Sequence, residues 1–349
     1  MNEQVLLAYG FLPNGIVQNL LDTGLINHTW RIDSGHRSYI LQTINTDVFP
    51  YPQDLKHNII ALQQHIASIN HGYFFPLPIP SLQGDIFFET DKKIFRLYEF
   101  VPDSKTITVV ENEKQAYEAA LQFGRYLKNL QSLPANSLRA TIPNFHNLSK
   151  RFDDLKQSIL LANHSRKKRA DTLIKKAMNY GEIASTYHRI QTEKLIRRQA
   201  VHHDAKISNV LFNANDEGLC VIDLDTTMPG YFISDIGDLF RSCLSNTDEN
   251  ATDFNTIAIR PTFFNAIAEG FISEISNMLS DVEKEFIFYS GQFMIYMQAI
   301  RFLSDYLNGD QYYQIKYDTQ NLDRAINQFT LLDAYQQYES EFTSLLKKI

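Results

Sequence analysis

AVHHDAKISNVLFNANDEGLCVIDLDTTMPGYFISDIGDLFR, residues 200–241, decides the reading of this chain. It holds two short apolar runs, 210–212 and 219–222, separated by the Asn-, Asp- and Gly-rich residues 213–218. Apolar runs on either side of a polar, glycine-containing turn predict a β-hairpin. Asp204 and Asn209 stand before the first run, and Asp223 and Asp225 after the second. A hairpin returns on itself, so its two outer ends meet. Asp204, Asn209 and Asp223 are therefore expected to converge through antiparallel pairing.

A few hard oxygen ligands that do not close a cage suit Mg²⁺ held jointly with substrate phosphates. An Asp beside that site, free of the metal, can accept a proton from a hydroxyl nucleophile. This is the division of labour of phosphoryl transfer. His202-His203-Asp204 also invites a zinc reading. Adjacent residues of an extended segment point to opposite faces, however, and no spaced third or fourth ligand follows. Asp225 alone reads equally as a solvated strand end.

His202-x-Asp204-x4-Asn209, followed one hairpin later by Asp223-x-Asp225, resembles the aminoglycoside phosphotransferase and choline kinase group, small-molecule kinases related to protein kinases. The resemblance implies that Asp204 is the catalytic base and that Asn209 and Asp223 are metal ligands. It implies that His202 orients the loop, and that Asp235 and Asp238 brace it structurally. Within the group, the wording VIDLDTTMPG and SDIGDLFR is closest to the N-acetylhexosamine 1-kinases.

The chain has 349 residues, enough for two lobes. Its net charge of −7 argues against a nucleic-acid partner, whose binder would be basic. The cluster Arg166-Lys167-Lys168-Arg169 has Asp153, Asp154 and Asp171 as neighbours and reads as a solvated face. Two cysteines, Cys220 and Cys243, make no disulfide framework, and a reducing cytosol is the simplest compartment. No signal-peptide pattern and no apolar run of membrane-spanning length are read, so a cytoplasmic protein without a membrane partner is expected.

The first third is expected to be a small β-rich lobe. A short helix over 4–11 precedes strands at 17–21, 29–32 and 38–41. The turn at 22–28 can arch backbone N–H groups over phosphates. By resemblance this loop covers ATP, with Gly24, Asn27 and Thr29 forming the G-x-x-N-x-T element of the hexosamine kinases. Asn27 also reads as an ordinary turn residue. By the same resemblance the third strand should carry a Lys for the ATP phosphates and the next helix a Glu to position it, but Gln42 stands at the Lys place. The amphipathic helix over 54–69 has no Glu. Lys56, Arg37 or additional metal could neutralise the phosphates instead. A hairpin at 85–88 and 94–98 leads into Glu99 and Val101, which by resemblance meet adenine at the hinge. Leu41 and Leu211 are candidate adenine walls.

The remainder reads as mostly helical: a helix over 112–131, two helical patterns between 146 and 196, one over 236–244, and a long one ending near 307. On that last helix Arg301, Asp305 and Asn308 recur as a polar stripe. The wording RFLSDYLNGDQYY resembles the sugar-site region of the hexosamine kinases, which makes Arg301, Asp305, Tyr306 and Tyr312 candidate substrate residues. A buried Arg301–Asp305 ion pair is the other reading.

Together these readings give an α+β, protein-kinase-like two-lobed fold, with a β-rich nucleotide-binding lobe over 1–101 and a helical catalytic and substrate lobe over 102–349. The expected reaction is ATP- and Mg²⁺-dependent phosphorylation of a small-molecule hydroxyl, in first place the anomeric hydroxyl of an N-acetylhexosamine. Aminoglycosides, choline and homoserine are alternative acceptors. A non-catalytic nucleotide-binding protein is the alternative that Gln42 motivates.

Overall fold

The computed structural model describes residues 3–12, 16–21, 27–69 and 72–348. It opens with helix α1 (Glu3–Ala8), shorter than the predicted 4–11. Gly10, at φ +81°, ends it. Phe11 N–H donates to Leu6 O and Gly10 N–H to Leu7 O, which is a Schellman stop.

A five-stranded antiparallel sheet follows, in the order β1-β2-β3-β5-β4. Its strands are β1 (Ile16–Leu21), β2 (His28–Ser34), β3 (Arg37–Thr43), β4 (Phe88–Thr90) and β5 (Lys93–Glu99). The β4–β5 turn is two residues long, because Thr90 pairs with Lys93. Asp91 and Lys92 both take positive φ there, as a type I′ turn requires. One sheet face packs Ile32, Leu41, Phe95 and Leu97 against Val5 and Leu6 of α1.

Helix α2 (Pro52–Ser68) crosses between β3 and β4, and starts two residues before the expected 54 with proline in its first turn. Its Leu55 and Ile59 join an N-terminal cluster with Ile86, Phe87 and Ile94. One turn further, Leu62 and Ile66 belong to the large core of the helical lobe. One helix thus packs into both lobes.

The helical lobe contains β6 (Lys105–Thr106), α3 (Glu113–Leu130), α4 (Leu148–Leu161), α5 (His164–Arg169), α6 (Asp171–Asn179) and α7 (Gly181–Glu193). Strands β7 (Gln199–Val201), β8 (Val210–Phe212), β9 (Gly218–Val221) and β10 (Met228–Gly230) come next. Helices α8 (Ile233–Leu244), α9 (Pro261–Ile275), α10 (Asp281–Leu307), α11 (Gln320–Gln337) and α12 (Glu339–Leu346) complete it. The expected helix at 112–131 is α3, with Asn112 as its N-cap accepting from Gln115 N–H. The region 146–196 folds as four helices rather than two. Asn163 caps α5, and breaks near Ala170 and Tyr180 divide a sequence that has no proline to mark them.

Helix α10 runs through the core. Ser280 and Glu283 form a capping box at its start. It packs on α8 so closely that a Cβ on Gly237 would collide with the Ser290 carbonyl. Arg166 of the basic cluster is committed to Asp310 and to the Tyr306 carbonyl, while Lys167, Lys168 and Arg169 are exposed. Among the described residues no helix is long and apolar enough to cross a membrane.

Candidate active site

The predicted hairpin is β8–β9, with Val210 opposite Val221. Val210, Phe212 and Val221 are buried and anchor it. The segment before β8 leaves β7 through His202 and His203. Asp235 accepts both of their backbone N–H groups, at 2.9 and 2.8 Å. Helix α8 begins at Ile233, not at 236, which sets Asp235 in its first turn, where it braces this loop instead of capping its own helix. His203 takes φ +66°, and its ring lies against Gly230, where any Cβ would clash with it.

His202 is fully buried and joins the two halves of the site. Its Nδ1 accepts Asp204 N–H at 3.3 Å, and its Nε2–H donates to Ile222 O at 3.0 Å. Phe123 and Tyr126 meet its ring edge-on. Burial holds its pKa below the ordinary value, so the imidazole is a neutral spacer.

Asp204 and Asn209 meet as expected. Asn209 Nδ2 donates to Asp204 Oδ2 at 2.8 Å and to Asp204 O at 2.9 Å. Ile222 N–H donates to Asn209 O at 2.8 Å, which sets Asp223 beside them. Lys206 Nζ lies 2.9 Å from Asp204 Oδ2. Burial alone would raise the Asp204 carboxyl, but the Lys206 charge and the hydrogen bonds from Lys206 and Asn209 hold it below the usual carboxylate range. Lys206 went unread in the sequence. Its signal was its place two residues after Asp204 in the decisive stretch.

Asp223 turns the chain out of β9 with φ +61° and ψ +58°. A left-handed non-glycine residue at such a place is a strained feature that its surroundings must hold. Its carboxyl is pushed up to about 7 by burial, then by Asp225 and Asp204. Such a crowd of carboxylates is what a divalent cation relieves. Among the described residues no three His, Cys, Asp or Glu side chains form a metal cage. The donors here are the Asp223 carboxylate and the Asn209 amide oxygen, which fits an open site completed by phosphate oxygens.

Asp225 is not a solvated strand end. It is 1% exposed and ion-paired to Arg96 of β5, which is 0% exposed. Arg96 Nη2 reaches Asp225 Oδ2 at 2.7 Å, and Nη1 bonds Oδ1. Gln42, in register with Arg96, accepts from Arg96 Nε at 3.1 Å and Nη2 at 2.9 Å. Arg96 was also missed; the sign was a lone cation inside the apolar run Ile94-Phe95-Arg96-Leu97-Tyr98. Lys56, offered as a phosphate partner, is 2.5 Å from Asp85 and is committed there.

On the nucleotide side, Gly24 lies outside the described residues. Asn27 is buried, and both ends of its amide are used: Nδ2 donates to Asp225 Oδ2 at 3.1 Å, and Oδ1 accepts Asn45 N–H at 3.0 Å. Thr29 Oγ1 accepts from Gln42 Nε2 at 3.2 Å. The side chains of Asn27, Thr29 and Gln42 therefore brace one another and the loop after β9, and do not point free donors at phosphate. Leu41 is corrected as an adenine wall: it is buried under α1, on the sheet face opposite Gln42. Alternation puts Ile40, half-buried, on the Gln42 face instead. Leu211 is half-buried between the buried Val210 and Phe212, and so faces the open side of its hairpin. Glu99 closes β5 and is exposed, and Val101 follows half-buried.

The acceptor stripe is only partly as expected. Arg301 lies among aromatic rings, 5.4 Å from the centre of Phe145, 5.7 Å from Tyr312 and 5.6 Å from Tyr313. It bonds Gln298 and does not pair with Asp305. Asp305 is corrected as a substrate contact. It is buried, and its oxygens accept backbone N–H from Gln311, Tyr312 and Tyr313 and the amide of Asn321. Tyr306 is corrected too: it is 1% exposed, with Arg166 over its ring. Tyr312 is exposed. Asp238 pairs with Arg241 at 2.9 Å.

Comparison with known proteins agrees with this architecture. An aminoglycoside phosphotransferase from Alicyclobacillus acidocaldarius superposes with a TM-score of 0.68 at 13% identity, covering 100% of this chain and 97% of that one. A microcompartment-associated aminopropanol kinase gives 0.63 at 15% identity, over 97% of each chain. A spectinomycin phosphotransferase in complex with ADP and spectinomycin gives 0.56 at 16% identity, over 96% of this chain and 97% of that one. These likenesses show the kinase-like two-lobed fold. Residues 18–265, more than half of the sequence, match the phosphotransferase enzyme family, and the chain belongs to that family.

Proposed function

We propose that the protein transfers the γ-phosphoryl group of Mg-ATP to a hydroxyl of a small molecule, with the anomeric hydroxyl of an N-acetylhexosamine as the acceptor. The observation that carries this is the convergence of Asp204, Asn209 and Asp223, with the Asn209 amide bonded to the Asp204 carboxylate. Asp204, held ionised, accepts the acceptor's hydroxyl proton as the oxygen bonds to phosphorus and the β–γ bridging bond breaks, its electron pair leaving with ADP. Asn209 and Asp223 hold Mg²⁺, whose charge offsets that of the phosphates. Lys206 holds one Asp204 oxygen. The sheet over 1–101 covers the nucleotide, and the helices from 102 onward hold the acceptor.

Acceptor chemistry follows from charge. Arg301, Tyr312, Tyr313 and Phe145 offer guanidinium donors and ring faces. Arg151 stands nearby, with Nε buried and without a hydrogen-bond partner among the described residues. Burial, then the charge of Arg301, lowers its pKa. Arg151 Nη1 lies 3.9 Å from Asp154, so among the described residues Arg301 carries the unpaired charge of this box, which disfavours a quaternary amine and suits the oxygen-rich face of a sugar. The experiment is ADP release from Mg-ATP across N-acetylglucosamine, N-acetylgalactosamine, glucose, choline, homoserine and kanamycin, with Asp204→Asn as control. Turnover on an N-acetylhexosamine, lost in the control, is expected. Turnover on a cationic acceptor alone overturns the sugar reading, and turnover retained by Asp204→Asn overturns the role of Asp204.

A further inference from the structure

The geometry points to Arg96 as a positioning residue for the nucleotide's metal. The cation absent from position 42 sits on the neighbouring strand and holds Asp225, so that Asp223 stands as a lone, fixed carboxylate toward Mg²⁺. This rests on the Mg-ATP reading above.

Four observations carry it. Gln42 and Arg96 are cross-strand partners, and Gln42 Oε1 accepts two of the Arg96 N–H groups. The Nη1–Nη2 end of the guanidinium takes both oxygens of Asp225, with Nη2 shared between Gln42 and Asp225. Arg96 is wholly buried, so its charge serves protein and not phosphate. The loop holding Asp225 is gripped from further sides: Asn27 donates to its carboxylate, Thr141 Oγ1 donates to Asp225 O at 2.9 Å, and Asn58 of α2 donates to Thr227 O at 3.0 Å.

Without Arg96, Asp225 would be a second bare carboxylate two residues from Asp223. It would repel Asp223, itself the left-handed residue of the turn, and the loop would keep only the neutral donors Asn27, Thr141 and Asn58. The planar fork of Arg is needed, because its Nε–Nη2 edge must reach Gln42 while its Nη1–Nη2 end reaches Asp225; a Lys ammonium cannot span both. The tie also joins β2, β3 and β5 of the sheet lobe to the loop after β9. Gln42 is then a dedicated partner of Arg96, and its presence does not mark a dead site.

The test is calorimetric binding of ADP, with Mg²⁺ titrated and in EDTA, read beside thermal melting. The variants are Arg96→Lys and the paired Arg96→Gln/Asp225→Asn, which leaves no buried charge unpaired. In both, the Mg²⁺ concentration for half-maximal enhancement of ADP binding is expected to rise tenfold or more, while ADP affinity in EDTA stays within twofold of wild type. An unchanged Mg²⁺ requirement in a variant that melts cooperatively and binds ADP overturns the proposal. If the paired variant fails to melt cooperatively, Arg96→Lys decides the question alone. A wild-type protein whose ADP binding ignores Mg²⁺ overturns the Mg-ATP reading itself, a distinct result.

Discussion

Asp235 accepts the backbone N–H of both His202 and His203, so one carboxylate fixes two successive peptide groups just before Asp204. An amide at this position presents one acceptor oxygen and one donor where the loop has only donors. Asp235→Asn should therefore leave a buried N–H unsatisfied, at a cost of roughly 1–3 kcal/mol. It should also displace Asp204 and lower kcat about 10- to 100-fold. Thermal melting and steady-state kinetics check this together. A full kcat with a lowered melting temperature would make Asp235 a stabiliser only.

Lys206 sets the charge state of Asp204. Burial raises the Asp204 carboxyl, and Lys206 reverses that. Replacing Lys206 with Met removes the reversal, so the Asp204 pKa must rise. The acid limb of the kcat/KM profile should move to higher pH, with a lower plateau. An acid limb that stays in place in Lys206→Met would assign it to another group.

The hairpin was legible because alternation, a polar turn and short apolar runs are local signals, and closing it brings Asp204, Asn209 and Asp223 together without further knowledge. Register across the sheet was not legible. Leu41 and Ile40 differ by one residue; alternation puts Ile40 on the face of Gln42, and the pairing of β3 with β5 sets that face beside Arg96. Arg96 and Asp225 lie 129 positions apart, so their pairing has no local trace. The stripe on α10 was legible as helical periodicity, yet Asp305 sits at its end, where carboxylates turn to local backbone N–H groups. Its position on the stripe said nothing of that use.

The Asp223 carboxyl is raised to about 7 from 3.8 by burial, Asp225 and Asp204. A carboxyl raised on folding stabilises through its bound proton, and that contribution is lost as pH rises through about 7. A cation must displace the same proton. The Mg²⁺ needed for half-maximal ADP binding should therefore fall as pH rises from about 6 to 7, by up to tenfold per unit, then level off. Protection from heat by Mg-ADP should correspondingly be larger at pH 8 than at pH 6. A Mg²⁺ requirement flat across this range would remove Asp223 from the metal.

Asp305 gathers the N–H groups of Gln311, Tyr312 and Tyr313 at 3.0, 2.8 and 2.9 Å, and so presses the loop after α10 against Arg301. Its partners lie in that loop and on α11. Asp305→Ala should thus release Tyr312 and Tyr313 from the Arg301 box and raise the acceptor KM about tenfold, the scale of one lost charged hydrogen-bond set. The KM for ATP should stay unchanged. Tyr312→Ala should move the same constant in the same direction, with less effect on melting, because Tyr312 is exposed and Asp305 is buried. Equal shifts in both KM values would place the damage in the fold as a whole and take this loop out of acceptor binding.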